Sequence, residues 1–134
     1  MTEYLLDTMA ASRVMRGNRV TLGNMRRSGA TSIGISVITK SEMLFGALRR
    51  GTRVSLLGET RQFFNRVEIF DWDEEVAEFH ARMKVDAHAM GRGAGAADLM
   101  IAAHALALGR TLVTSDQALH SLATTSLAIV DWST

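Results

Sequence analysis

Four acidic side chains stand close to points where a short apolar run gives way to a helical pattern, namely Asp7, Glu42, Asp98 and Asp116. Carboxylates gathered in one cleft repel one another, and burying them without compensation is costly. A divalent cation would neutralise such a set, and oxygen ligands alone suit Mg²⁺ and Mn²⁺. These residue types therefore predict a Mg²⁺ or Mn²⁺ site, provided that the fold brings the four acids to one place.

Each acid also has a local structural explanation. Asp7, Asp98 and Asp116 carry the short acidic side chain that commonly caps the amino terminus of a helix. Glu42 fits a solvated position on its helix equally well. Taken one at a time, the four acids are therefore compatible with helix capping and solvation as well as with metal binding.

The chain alternates short apolar or β-branched runs with helical patterns, which is typical of a parallel sheet covered by helices on both faces. Ligands of such sheets lie beyond the carboxyl ends of the strands, near the point where the strand order reverses. Strands are predicted at residues 4–6, 33–36, 67–70, 111–114 and 127–130. Helices are predicted at residues 10–16, 21–27, 39–50, 53–65, 74–90 and 97–108. The four acids are then expected at one edge of the sheet.

The composition narrows the class of protein. A chain of 134 residues is long enough to bury a core as one domain. The chain contains no cysteine, which excludes disulfides and thiolate metal sites. No apolar run reaches the roughly 18 residues of a membrane span, and we expect a cytoplasmic protein without a signal peptide. The four histidines show no metal-binding spacing such as HExxH, which argues against a histidine-ligated metal.

The net charge of +1 hides a strong division along the chain. Residues 1–12 carry a net charge of −2, residues 13–66 carry +9 and residues 67–134 carry −6. The bases of the middle segment are all arginine except Lys40, and the forked guanidinium of arginine suits phosphate groups. This division indicates a polyanion or an acidic protein as partner, although two solvated helices would also explain it.

Four short motifs, taken in this order and at this spacing, resemble the PIN-domain ribonucleases, and most closely the VapC-type toxins of bacterial toxin-antitoxin pairs. The motifs are D-T at residues 7–8, S-x-I-T-x-x-E-x-x-x-G at 36–46, D-x-x-I-A-A-x-A at 98–105 and L-V-T-x-D at 112–116. The resemblance extends over essentially the whole chain. It implies an α/β fold, a three-layer α/β/α sandwich around a central, mainly parallel sheet, with residues 1–134 forming a single PIN domain.

The resemblance also implies roles for the acids. Asp7, Glu42 and Asp98 match the residues that ordinarily form the metal site of the family, and Asp116 matches a fourth, more variable acid. The implied activity is a Mg²⁺- or Mn²⁺-dependent endoribonuclease toxin that cuts RNA, with tRNA as the expected substrate. The implied partners are a small VapB-type antitoxin and a second copy of the chain in a homodimer.

Further residues are expected to support the acids or to bind the substrate. Thr8 and Thr114 match family hydroxyls that steady the acids, and Ser115 can supply another hydroxyl beside Asp116. With RNA as the polyanion, basic side chains flanking the first two acids are expected to line the path of its backbone. These basic side chains are Arg13, Arg16, Arg26, Arg27, Arg49 and Arg50.

Three positions depart from the family pattern. Met9 stands where the family has asparagine, the loop before Asp98 lacks the usual proline, and His120 replaces an aromatic residue. A thioether cannot donate a hydrogen bond that would orient a neighbouring carboxylate. The departures favour an alternative function, a catalytically weak or inactive PIN-fold binding module that acts through its partner.

Overall fold

The computed structural model describes residues 3–91, 93–122 and 126–134. Five strands occur in this part of the chain: β1 (Glu3–Leu6), β2 (Ser32–Ser36), β3 (Glu68–Phe70), β4 (Thr111–Val113) and β5 (Ile129–Val130). Seven helices occur in it: α1 (Thr8–Met15), α2 (Arg19–Arg27), α3 (Val37–Leu48), α4 (Ser55–Phe64), α5 (Glu74–Ala89), α6 (Ala96–Leu108) and α7 (Gln117–His120).

The five strands form one sheet in the order β3-β2-β1-β4-β5. Every strand pairing is parallel, which confirms the predicted α/β class and its parallel sheet. The chain builds the sheet outward from β1 on one side and then returns to add β4 on the other. The strand order therefore reverses between β1 and β4, and a crevice is expected at their carboxyl ends.

Alternate residues of the central strands face opposite layers of helices. Leu5 pairs with Leu112 and packs against α5 and α6, whereas Leu6 pairs with Val113 and packs against α1, α3 and α4. All four side chains are at most 1% exposed. Strands β1 and β4 are therefore buried on both faces, and the residues that directly follow them are held in place by these strands.

The amino edge of the sheet is held by a buried arginine that the motifs did not indicate. Arg110 immediately precedes β4, and its Nη1 donates to the Tyr4 carbonyl at 3.2 Å and to Ser32 Oγ at 2.9 Å. Its Nη2 lies 3.4 Å from Glu68 Oε1 and 3.8 Å from Glu3 Oε2. One guanidinium thus joins the starts of β1, β2 and β3, at the edge opposite the acids.

The predicted elements occur with shifted boundaries. Helix α3 begins at Val37 because Ser36 caps it, its Oγ accepting the Ile38 N–H at 3.0 Å, whereas the sequence predicted a start at residue 39. The short helix α7 was not predicted, since four residues carry too little periodicity to detect. Among the described residues, no helix is both long and apolar enough to cross a membrane.

Candidate active site

The carboxyl ends of β1 and β4 bring two of the acids side by side. Asp7 directly follows β1, and its backbone N–H donates to the Val113 carbonyl at 3.0 Å, which ties it to the last residue of β4. Asp116 follows β4 three residues later. The point where the strand order reverses is thus flanked by carboxylates from both neighbouring strands.

Asp7 is a helix cap and a member of this cluster at once. Its side chain is 4% exposed, Oδ1 accepts the Ala10 N–H at 2.8 Å, and Oδ2 accepts the Thr114 hydroxyl at 2.6 Å. Burial raises the pKa of the Asp7 carboxyl, while these hydrogen bonds and the charge of Arg13 act in the opposite direction. The capping explanation is therefore correct for Asp7, and it leaves a buried carboxylate whose charge is incompletely compensated.

Thr114 joins Asp7 to Asp116. Besides donating to Asp7, its Oγ1 accepts the backbone N–H of Asp116 at 3.1 Å. Asp116 caps α7, with Oδ1 accepting the Ala118 N–H at 2.9 Å. His120 Nε2 lies 2.8 Å from the Thr114 carbonyl, so the residue that replaces the expected aromatic holds this loop from its other side.

Glu42 reaches the cluster from α3 and is held by a second threonine. The Thr8 hydroxyl donates to Glu42 Oε1 and lies 3.4 Å from the hydroxyl of Thr39. Thr39 is completely buried, so Thr8 is positioned between a fixed hydroxyl and the carboxylate. The motif residues Thr8 and Thr39 thus connect the start of α1 to the helix that carries Glu42.

Asp98 completes the cluster, and here the capping explanation is wrong. The cap of α6 is Gly95, and Asp98 lies in the first turn of the helix, where Oδ2 comes within 3.3 Å of the position that a Cβ on Gly95 would occupy. Burial raises the pKa of Asp98 to about 6, with further contributions from the nearby Asp116, Asp7 and Glu42. All three other acids act on Asp98, so the fold brings the four carboxylates to one place.

This cluster has the chemistry of a divalent cation site with few direct protein ligands. Its side-chain ligands are all oxygens, and the pKa of Asp98 is raised first by burial and then by the neighbouring carboxylates, whose charge a cation would offset. Among the described residues, no three His, Cys, Asp or Glu side chains stand close enough together to hold one ion jointly. Such an arrangement fits Mg²⁺ or Mn²⁺, which keep several waters and take few oxygens from the protein.

Two of the predicted arginines, Arg16 and Arg49, line a groove of about 200 Å³ between α1, α3 and α4, and one of the four acids, Glu42, lines it too. Thr8, which donates to Glu42, also lines this groove. Arg13 lies at the opposite flank, where Nη1 is 3.5 Å from Ser115 Oγ. Ser115 therefore contacts a base, whereas Thr8 and Thr114 contact the acids as predicted.

The other predicted arginines lie elsewhere. Arg26 and Arg27 occupy the last turn of α2, six and five residues before β2 begins at the amino edge of the sheet. Arg27 Nη2 donates to Asn24 Oδ1 on its own helix at 2.7 Å. Arg50 is exposed just beyond α3. In the part of the chain that the structure describes, no hydrogen bond or ion pair joins these three arginines to the four acids.

Comparison with known proteins gives a family that agrees with this site. A model of the PIN domain matches residues 4–124. The chain belongs to the PIN domain family. This PIN domain is 24% identical over 116 residues to the tRNA(fMet)-specific endonuclease VapC of Shigella flexneri, covering 87% of this chain and 88% of that protein. It is 26% identical, over the same shares, to Ribonuclease VapC2 of Haemophilus influenzae.

Solved structures show the same fold. The PIN domain superposes with a TM-score of 0.85 on a chain of VapBC2 from Rickettsia felis bound to a promoter DNA fragment, at 22% identity and covering 98% and 99% of the two chains. Against VapBC-1 from nontypeable Haemophilus influenzae the TM-score is 0.83 at 23% identity, covering 99% and 100%. These superpositions confirm the predicted PIN-like sandwich.

Sequence reasoning missed two supports of the site. His120 was noted as a departure from the family, without its bond to the Thr114 carbonyl. Ser36 and His104, which lie 2.8 Å apart beneath the acids, were assigned no role. The available signal was the position of His104, the one non-apolar residue between Leu99 and Leu108 in α6.

Proposed function

We propose that this PIN domain is a divalent-metal-dependent endoribonuclease that hydrolyses RNA phosphodiester bonds and is held in check by an antitoxin protein. The observation that carries the proposal is the convergence of four carboxylates at the reversal point of the sheet, with the pKa of Asp98 raised to about 6. The same motifs occur in the order expected for VapC-type ribonucleases, and the relatives that match are named as ribonucleases and as a tRNA endonuclease.

The proposed roles of the four acids differ according to the contacts that each acid makes. Asp7 and Asp98 would hold Mg²⁺ or Mn²⁺ directly or through water where the strand order reverses, with Asp116 farther from the ion and with Thr114 fixing Asp7 and the backbone of Asp116. When bound, such an ion supplies a hydroxide from water near neutral pH and stabilises the leaving 3′-oxygen. Glu42, exposed and held by the Thr8 hydroxyl, would orient the attacking water or accept its proton. The products would carry a 5′-phosphate and a 3′-hydroxyl.

RNA is the substrate that suits the surroundings of the acids. Arg13, Arg16 and Arg49 flank the cluster on both sides, where they would neutralise the phosphates next to the scissile bond. The relative from Shigella flexneri is named for its action on tRNA(fMet). We accordingly propose tRNA as the substrate class of this chain.

The proposed partners follow from the exposed side of α3. Phe45 and Leu48 are 68% and 63% exposed and lie one to two turns beyond Glu42. Exposed large apolar side chains beside a groove are typical of a protein-binding surface. The relatives of known structure were solved as VapBC toxin-antitoxin complexes, and we propose a VapB-type antitoxin on this surface and a homodimer of the chain.

The test is an incubation of the purified protein with total tRNA, with Mg²⁺, Mn²⁺ or a chelator. We expect cleavage in either metal, none in chelator, and loss of about 100-fold or more in Asp98→Asn, since a metal ligand is removed. Asp86→Asn serves as the control because Asp86 is exposed on α5 and lines the opposite, apolar side of the fold. Equal activity of Asp98→Asn and wild type would contradict the assignment.

One observation favours a second candidate, a PIN-fold binding module without catalysis. Met9 replaces the family's asparagine, and its side chain is 58% exposed, so it adds no hydrogen bond to the carboxylates. A module of this kind would bind Mn²⁺ and an antitoxin while leaving every RNA intact. Cleavage by wild type that Asp98→Asn abolishes would exclude it.

A further inference from the structure

His104 is a buried titratable side chain that the proposed chemistry does not use. It lies in the middle of α6, six residues after Asp98, and is completely buried. Its Nδ1 is 2.8 Å from Ser36 Oγ, although the two residues are 68 positions apart in the chain. Its Nε2 is buried without a hydrogen-bond partner among the described residues. A buried nitrogen without a hydrogen-bond partner destabilises the folded state, so its presence calls for an explanation.

Aromatic and acidic groups surround the ring and keep it in one orientation. Trp72 and Phe70 present their rings edge-on to His104, with centroid distances of 5.7 and 6.4 Å. Burial lowers the pKa of His104, and the nearby Asp73 and Asp71, the latter also through its backbone, act weakly in the opposite direction. The ring is therefore neutral at physiological pH, with one nitrogen free to accept a hydrogen bond.

Ser36 can donate that bond while it caps α3, because a hydroxyl has one proton to donate besides the lone pairs that accept. Ser36 Oγ accepts the Ile38 N–H at 3.0 Å as the cap of α3. Its hydroxyl proton can donate to His104 Nδ1 at 2.8 Å, and in that tautomer the ring proton is on Nε2. A continuous chain of hydrogen bonds thus runs from the first turn of α3 through Ser36 to the centre of α6.

The two helices joined in this way carry two of the four acids. Helix α3 carries Glu42 and helix α6 carries Asp98. Of the side-chain hydrogen bonds and ion pairs in the described residues, the His104–Ser36 bond is the one that links α6 to the start of α3. The other contact between these helices at this level is apolar, where Ile38 packs against the core under α6.

We propose that His104 is a positioning residue that sets the separation of Glu42 and Asp98 by locking the start of α3 to α6 through Ser36. The inference rests on the proposed metal site, which it deepens, since the residue acts on the arrangement of the ligands without touching the ion. Loss of the bond lets the first turn of α3 move relative to α6, and the two carboxylates then meet the cation less well. Groups that orient metal ligands typically affect affinity by about 10- to 100-fold.

The test compares three variants of the full chain by Mn²⁺ titration calorimetry. His104→Leu fills the space but removes the acceptor, and His104→Asn restores an acceptor near the position of Nδ1. Met83→Ala is the control, since Met83 lies on α5 and is buried in the core cluster that contains the apolar residues of α6. We expect Mn²⁺ affinity to fall about 10-fold or more in His104→Leu, to recover in His104→Asn, and to stay at the wild-type value in Met83→Ala. Wild-type affinity in His104→Leu, or an equal loss in Met83→Ala, would overturn the inference.

A second readout separates this inference from the proposed function. The Ile38 amide donates to Ser36 Oγ, so its rate of hydrogen exchange in the metal-free protein reports how well Ser36 is held in place by His104 of α6. We expect faster exchange in His104→Leu than in Met83→Ala at equal global stability, and protection restored in His104→Asn. If wild type binds no Mn²⁺, the proposed function fails, and this measurement still decides the role of His104: equal exchange in the two variants would reject it.

Discussion

At the scale of single residues, the site is built from side chains that serve structure and chemistry together. Asp7 and Asp116 each use one carboxylate oxygen to cap a helix, and the second oxygen of Asp7 is held by the Thr114 hydroxyl. Asp98 does not cap α6, and its pKa is raised from 3.8 to about 6. Its carboxylate is thus placed where charge is unfavourable until a cation arrives.

The first prediction concerns the stability of the metal-free protein as a function of pH. A carboxyl whose pKa rises from 3.8 to about 6 on folding contributes stability that is fully present below pH 3.8 and is lost as the pH rises through 6. Asp98→Asn removes this penalty, so it should gain stability relative to wild type at pH 7.5 and little at pH 4. Denaturant unfolding with a chelator present measures both differences. A gain that is equal at the two pH values would show that ionisation of Asp98 carries no penalty.

The second prediction concerns Thr114, whose hydroxyl serves Asp7 and Asp116 together. Thr114→Val keeps the shape and removes both hydrogen bonds, so we expect about 10- to 100-fold weaker cleavage and about 1–3 kcal/mol lower stability. Thr111→Val is the control, because Thr111 starts the same strand at the amino edge. RNA cleavage and denaturant unfolding of both variants give the result. Undiminished cleavage in Thr114→Val would mean that the orientation of Asp7 does not depend on this hydroxyl.

At the scale of elements, the two edges of the sheet have different tasks. The carboxyl edge gathers like charges, whereas the amino edge is held by Arg110 across three strand starts. Strands β1 and β4 have only four and three residues, so the two edges of the sheet are about 14 Å apart or less along these strands. A shift of the strands at the amino edge would therefore also move the residues at the carboxyl edge. The arginine at the amino edge therefore supports the register on which the acids depend.

The third prediction tests that support. Arg110→Lys keeps the charge but loses the fork that reaches the Tyr4 carbonyl and Ser32 Oγ at once, and we expect about 1–2 kcal/mol lower unfolding free energy. Arg66→Lys, at an exposed position after α4, should change stability by less than about 0.5 kcal/mol. Thermal or denaturant unfolding decides the matter. Equal stability of the two variants would show that the amino-edge contacts of Arg110 contribute nothing.

The elements also show which features a sequence can reveal. Apolar runs and the acids that follow them could be predicted because period and strand order determine where the carboxyl ends lie. The bond between His104 and Ser36 could not be predicted, because the two residues are 68 positions apart. Their contact depends on how α6 is oriented over the sheet, and no local sequence pattern indicates that orientation. The capping explanation of Asp98 fails for a related reason: Gly95 caps α6, so Asp98 lies in the first turn of the helix.

At the scale of the whole molecule, charge is divided in space as well as along the chain. The four acids lie at one edge, and Arg16 and Arg49 line the same groove as one of them, Glu42. Arg26 and Arg27 belong to the same basic segment of the sequence but end a helix that leads to the opposite edge. Counting basic residues along the sequence does not distinguish the pair Arg16 and Arg49 from the pair Arg26 and Arg27, because their positions relative to the acids depend on the fold.

The fourth prediction uses the two pairs as each other's control. Arg16→Ala with Arg49→Ala should weaken binding of single-stranded RNA and reduce the slope of log affinity against log salt by about 1.4, the value for two lost phosphate contacts. Arg26→Ala with Arg27→Ala should leave affinity and slope near those of wild type. Filter binding with the Asp98→Asn protein, which leaves the RNA intact, provides the measurement across salt concentrations. A larger loss in the second pair would place the RNA path on α2.

The most direct test of the site is the position of a bound metal. Crystals grown with Mn²⁺ should show anomalous density between the carboxyl ends of β1 and β4, bound by Asp7 and Asp98 directly or through one water. The density should vanish in Asp98→Asn and persist in Asp86→Asn. Saturating Mn²⁺ with no density among these carboxylates, or density unaffected by Asp98→Asn, would contradict the claim that the four acids form a metal site.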